Sequence, residues 1–197
     1  MTTMTVPLFP LGTVLYPEGP LPLRLFEARY IDMVSQCMRE QSPFGVVAIR
    51  EGREVGPSVI YEQGTLARIT DFYQGSDGLL GITAIGHERF RLVSEHEASD
   101  GLRIGEIELL PDEPAVALPE GYAALAEMLD SVLDDLGKLY EDRPRRLDDA
   151  SWVGYRYCEI LPIRLPQKQQ CLEIEDALAR LELIAAVLSR VPSNRSQ

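Results

Sequence analysis

Residues 7–30 read PLFPLGTVLYPEGPLPLRLFEARY, with five prolines (Pro7, Pro10, Pro17, Pro20 and Pro22) set around an apolar run. Each proline fixes φ near −65° and pushes the residue before it toward extended geometry, so helix is excluded up to about Pro22. Leu8, Phe9, Leu11, Val14 and Leu15 are too apolar for a solvated loop. They are expected to lie across a sheet or to seal one end of a barrel, in an edge strand or connector where a missing N–H is tolerated. From Phe26 the pattern changes. Tyr30, Met33, Val34, Cys37 and Met38 share one helical face, and the spacing predicts a helix that stops near Gln41 before Ser42-Pro43. Asp32, three residues after Arg29, is expected to pair with it.

Working outward, Phe44–Arg50, Gly64–Tyr73, Leu79–Gly86, Arg89–His96 and Leu102–Leu110 have strand length and strand composition. Ser-Asp-Gly turns at Ser76–Gly78 and Ser99–Gly101 join neighbours, glycine supplying the positive φ of a tight hairpin. One helix and a meander of strands in about 110 residues predict a strongly bent sheet or barrel. Asp112–Pro119 (DEPAVALP) reads as a linker, and beyond it the strand signal stops. Glu120–Leu139, Asp148–Leu161 and Ile174–Val191 are amphipathic helices, and Pro166 can open a short helix between the last two. The reading is an α+β chain: a β domain over residues 1–113 and a helical bundle over 114–197.

Composition narrows the function. Hydrophobic residues at 45% and charged residues at 25% are those of a folded globular chain. Only the polar tail Pro192–Gln197 reads as disordered. Three scattered cysteines, no signal-peptide pattern and no apolar run of membrane-spanning length predict a cytoplasmic protein with reduced thiols and no membrane association. The net charge is −12, with −8 in residues 1–113 and −4 in the rest. Such a surface repels a phosphate backbone and argues against nucleic acid.

No catalytic constellation is legible. Gly137-Lys138 lacks a phosphate loop before it, and the two lysines, Lys138 and Lys168, read as solvated charges rather than a desolvated base. His87 and His96 sit beside turns and carboxylates. The paired acids Asp134-Asp135, Glu141-Asp142 and Asp148-Asp149 do not face one another on a helix. The two histidines and three cysteines show no metal-ligand spacing, so no cofactor or metal is expected.

The opening stretch resembles the start of the N-terminal substrate-binding domain of the ATP-dependent protease Lon, whose pattern runs PLFPL…V.FPG…PL.IFE.RY. The later FGVV, GT.A.I and LPIRLPQKQQCLEIEDALARLELI segments look similar to the same family, from Val6 to about Val191. Tyr16 stands where Phe is usual, and Glu18-Gly19 where a Gly-rich turn is usual. The resemblance implies a PUA-like β pseudo-barrel followed by a helical bundle, in a bacterial stand-alone form without the ATPase and protease domains.

The same resemblance, with no catalytic constellation beside it, implies a non-catalytic peptide- or protein-binding module: an adaptor, sensor or chaperone-like factor taking unfolded polypeptide clients. A protease or chaperone partner and a homodimer stay open. So do two alternatives, an RNA-binding PUA-like module and a small-molecule sensor. Three stretches are candidate binding residues: Arg24, Phe26, Glu27, Arg29 and Tyr30 at the helix start; Phe72 and Tyr73 at a strand end; and Arg89 with Phe90. The residues alone also fit ordinary packing at each place: Phe26 and Tyr30, at i and i+4, against the barrel, and the others within the sheet. Cys37 and Cys158 read as core residues.

Overall fold

Residues 3–75, 78–141 and 143–189 are described by a computed structural model of the chain. The chain divides into two units, one of Met1–Asp112 with Arg164–Leu172 and the other of Glu113–Ile163 with Glu173–Gln197.

In the first unit six strands build one mixed sheet: β1 (Thr3–Leu11), β2 (Pro20–Leu25), β3 (Phe44–Gly52), β4 (Ser58–Gln74), β5 (Leu80–Glu97) and β6 (Arg103–Leu109). Their order is β2-β5-β4-β3-β1-β6, and β5 also pairs with β6, closing the last five strands into a ring. Closure is possible because β5 changes partners along its length. Leu80–Ile85 pairs with β2 and Phe90–Glu97 pairs with β6, while β4 runs beside it across the change. Sequence patterning predicts two strands here, with His87 at a turn. Instead one strand bends through Gly86-His87-Glu88, where the register with β4 slips between Thr65 and Ala67. A Cβ on Gly86 would stand 2.0 Å from the Tyr16 carbonyl oxygen, so only glycine lets the connector lie this close.

β1 is not an edge strand. Thr3–Leu8 pairs antiparallel with β6, and Leu8–Leu11 pairs parallel with β3. At Pro7 only the β6 flank is paired and at Pro10 only the β3 flank, and a proline, with no N–H, is tolerated where one flank of its strand lacks a partner. β2, with Pro20 and Pro22, is the edge strand that its prolines predict.

Alternation splits the core into two faces. Val47, Ile49, Ile60, Leu66, Ile107 and Leu8 surround Phe90. Val46, Ala67, Phe44, Ile82 and Ala84 turn the other way, with Phe9, Leu25 and the helix α1 (Ala28–Glu40). Helix α1 contributes Tyr30, Met33, Val34 and Cys37 and ends at Gln41 in the left-handed conformation (φ 53°), while Met38 is partly exposed. The Ser99–Gly101 turn has its positive φ at Gly101 (83°). In the other turn Gly78 has φ 82°, and Ser76 and Asp77 lie outside the described residues.

Helix α4 (Leu165–Glu173) returns to this first unit, although sequence patterning groups it with the helical bundle. Tyr16 Oη donates to the Lys168 carbonyl at 2.8 Å, and Gln169 Nε2 donates to the Gln63 carbonyl at 3.0 Å. The Leu172 carbonyl accepts from Arg89 Nη1 at 3.2 Å.

The second unit holds α2 (Ala123–Asp135), α3 (Ala150–Ile160) and α5 (Ala177–Leu188), each with a buried stripe. Short 3-10 turns at Glu120–Tyr122 and Gly137–Leu139 flank α2, so the expected long helix is interrupted at both ends. Asp149 caps α3 through Ser151 N–H, and Asp176 caps α5 through Leu178 N–H. Asp142 and the tail from Arg190 onward, including Val191 and Pro192–Gln197, lie outside the described residues.

Candidate functional site

The helix start is the first of the three candidate places. Glu27 has extended geometry (φ −87°, ψ 130°) and is the N-cap of α1, so Phe26 precedes the helix. Phe26 and Tyr30 therefore do not stack along one helical face as i and i+4. Tyr30 is buried and lies parallel to Phe9, ring centroids 4.0 Å apart and planes 16° apart. Phe26 points out and is 63% exposed. Burial raises the Tyr30 pKa, and the Arg29 guanidinium 4.7 Å above its ring works against that rise.

Arg29 fixes this corner. Its Nη2 meets Glu27 Oε2 at 2.7 Å, and its Nη1 donates to the Gly101 carbonyl at 2.7 Å, tying the helix start to the β5–β6 hairpin. It pairs with Glu27 rather than with Asp32. The spacing to Asp32 suits a helix surface, but Arg29 is in the first turn, where the nearer carboxylate and a hairpin carbonyl capture it.

Beside Phe26 is a groove of about 340 Å³. One wall is β2 from Leu21 to Leu25; the other is Phe9–Leu11 of β1. Both walls are strand flanks without a partner strand at these residues, because β1 has left β6 by Phe9 and β2 pairs only with β5. The Phe9–Tyr30 stack lies within the lining, and Arg24, Glu27 and Glu54 are its charged members. Glu54 Oε1 accepts from Gly12 N–H at 2.7 Å. Glu54 and Gly12 carry no local motif; a bond across 42 residues leaves no periodic trace in sequence.

Phe72 and Tyr73 form the second place, 61% and 43% exposed. Past Ala67 β4 has no β3 partner, and its flank borders a second groove of about 400 Å³ with Met38 and Gln41 of α1 and its cap. Strand addition is hindered here, because the register slips between Ile69 and Asp71 and Asp71 Oδ1 accepts from the Phe72 N–H at 2.8 Å. Tyr73 lies across Gly81, where a Cβ would stand 2.3 Å from its ring.

The third place offers no surface to a partner. Phe90 is wholly buried, its ring packed against Gly45 and Gly64. Arg89 is 6% exposed and donates to the Leu172 and Pro111 carbonyls. Strand alternation correctly turns Phe90 inward, but the buried guanidinium depends on α4, which is distant in sequence. Arg89 and Phe90 are therefore excluded from the candidate surface.

No helix among the described residues is long and apolar enough to cross a membrane. The model of a family described as the ATP-dependent protease La (LON) substrate-binding domain matches residues 5–190. A crystal structure of a Lon N-terminal domain protein from Xanthomonas campestris is similar at 36% identity and TM-score 0.76, covering 93% of this chain and 98% of that one. The N-terminal domain of Mycobacterium avium complex Lon protease shares the fold, at 19% identity and TM-score 0.65, covering 95% of this chain and all of that one. Lon protease 2 of Syntrophobacter fumaroxidans is 28% identical over 90% of this chain, which spans 23% of that relative's length.

Proposed function

The chain belongs to the ATP-dependent protease La (LON) substrate-binding domain family, and from that membership we propose that it is a non-catalytic module that holds segments of other proteins. In this reading it delivers or shelters unfolded clients as an adaptor or chaperone-like factor in protein quality control. The observation that supports it most is the groove beside Phe26, an apolar cleft of about 340 Å³ with a large aromatic left in water at its mouth. Side chains of this kind bury their area when a partner arrives. Phe72, Tyr73 and Met38 offer a second apolar contact place in the same unit.

Fluorescence anisotropy with a labelled, reduced and carboxymethylated client, against the same client folded, tests the proposal. Micromolar binding to the unfolded form alone is the expected result. Phe26→Ala should weaken it by roughly fivefold or more, the loss of an aromatic anchor worth upward of about 1 kcal/mol. Absence of binding to unfolded chains, or equal binding by the Phe26→Ala variant, would overturn it.

A further inference from the structure

We infer that the free flank of β1 at Thr3 and Thr5 takes an extended client segment as an added strand, with one bulky apolar side chain seated against α1. This rests on the reading that the chain holds segments of other proteins. The hairpin between β5 and β6 settles which way the backbone faces. Ala98 N–H donates to the Leu102 carbonyl at 2.8 Å, and His96↔Ile104 follows in register. In an antiparallel pair the hydrogen-bonded positions alternate. Residues 102, 104 and 106 therefore turn their backbone groups to β5, and 103, 105 and 107 turn theirs to β1. The partners of these three on β1 are Leu8, Val6 and Met4, so Thr3, Thr5 and Pro7 face away from β6.

On that side β3 begins only at Phe44 and joins β1 at Leu8↔Gly45. Thr3 and Thr5 are exposed, and their outward backbone groups meet no partner among the described residues. In chain order these groups are N–H, C=O, N–H, C=O, the alternation that an incoming strand needs. The flank of β2 is broken by Pro20 and Pro22. That of β4 beyond Ala67 has the Asp71 carboxylate on the Phe72 N–H.

Along the same stretch lies a cleft of about 240 Å³, lined by Thr5 and Pro7 of β1, Met33 and Cys37 of α1, and Leu102 and Ile104. It is smaller than the roughly 300–1,000 Å³ of small-molecule sites and has room for one side chain of leucine or phenylalanine size. In strand addition, main-chain bonds supply affinity and such a pocket supplies specificity. A second copy of the chain fits poorly. Its β1 would bring only Thr3, Thr5 and Pro7 to this face, because its Val6 and Leu8 belong to the core around Phe90.

A labelled, unstructured peptide with leucine and serine in alternation is titrated by anisotropy beside two backbone N-methylated forms, one methylated at its leucines and the other at its serines. Only one set of N–H groups faces β1, so one form is expected to bind about tenfold more weakly and the other like the parent. Thr5→Pro removes a flank donor without touching the β6 pairing and should weaken the parent peptide about fivefold, whereas Thr5→Val should not. Weakening of both methylated forms or of neither, or equal binding by Thr5→Pro and Thr5→Val, overturns the strand pairing. If Phe26→Ala still weakens the peptide in that case, the groove reading stands without it. A dimer in sedimentation equilibrium that the peptide splits assigns the flank to a second copy and overturns the client. No binding of any peptide overturns both readings.

Discussion

Arg180 and Glu113 face each other as a two-pronged ion pair, Nη1 to Oε1 and Nη2 to Oε2 both at 2.8 Å, with the arginine fully buried. Tyr155 Oη donates to Glu113 Oε2 at 2.6 Å, its ring lies 3.9 Å from the guanidinium, and the Ile174 carbonyl accepts from Nη2. Removing one member leaves a buried charge without its partner, at a cost of about 3–5 kcal/mol. Arg180→Met and Glu113→Gln should each lower stability by an amount near that range, and the double variant by clearly less than their sum. Denaturant titration followed by Trp152, the single tryptophan and buried in the same unit, measures all three.

Burial raises the Glu113 pKa, but hydrogen bonds from Arg180 and Tyr155 outweigh it and hold the carboxyl below its ordinary 4.5. A depressed folded pKa stabilises the protein fully above the unfolded value and ceases to do so as pH falls through the folded one. Wild-type protein should therefore lose stability progressively below about pH 4.5. Glu113→Gln should be weaker at neutral pH and show a flatter acid limb in the same titration.

Gly86 lies against the Tyr16 carbonyl, and its own carbonyl accepts from Glu18 N–H at 2.8 Å. Gly86→Ala forces a backbone shift at the bend of β5, with an expected loss of about 1–3 kcal/mol. A lowered thermal midpoint in differential scanning calorimetry checks it; an unchanged midpoint would show that the connector gives way freely.

Replacing Pro20 and Pro22 by threonine puts two N–H donors back on the free flank of β2. An edge with alternating donors and acceptors pairs with other edges. The double variant should associate more strongly with itself as concentration rises, seen by sedimentation equilibrium against the wild type. If both stay alike, the prolines do not guard this edge.

Local signals were legible wherever one element settles its own structure. The 3.6-residue spacing of Tyr30, Met33, Val34 and Cys37 defines α1, and Gly101 marks its hairpin. Signals that depend on distant partners were not. Prolines at 7 and 10 suggest an edge, yet β1 is interior because its two neighbours take turns along it. Gly86 suggests a turn, but its missing Cβ serves a close approach by Tyr16. At the candidate site the exposed aromatics Phe26, Phe72 and Tyr73 lie within stretches singled out from sequence. The opposing β1 wall and Glu54 were out of reach, since a groove between two strand flanks has no periodicity of its own.

The return of α4 to the first unit bears on how the chain matures during synthesis. A ribosome that has released residues 1–112 has released a sheet still missing the segment whose Lys168 and Leu172 carbonyls receive Tyr16 and Arg89. Fifty-one residues, 113–163, must emerge first. Vectorial folding therefore cannot finish the earlier unit before most of the later one has been translated, and a fragment cut at residue 112 would leave Arg89 without its Leu172 acceptor.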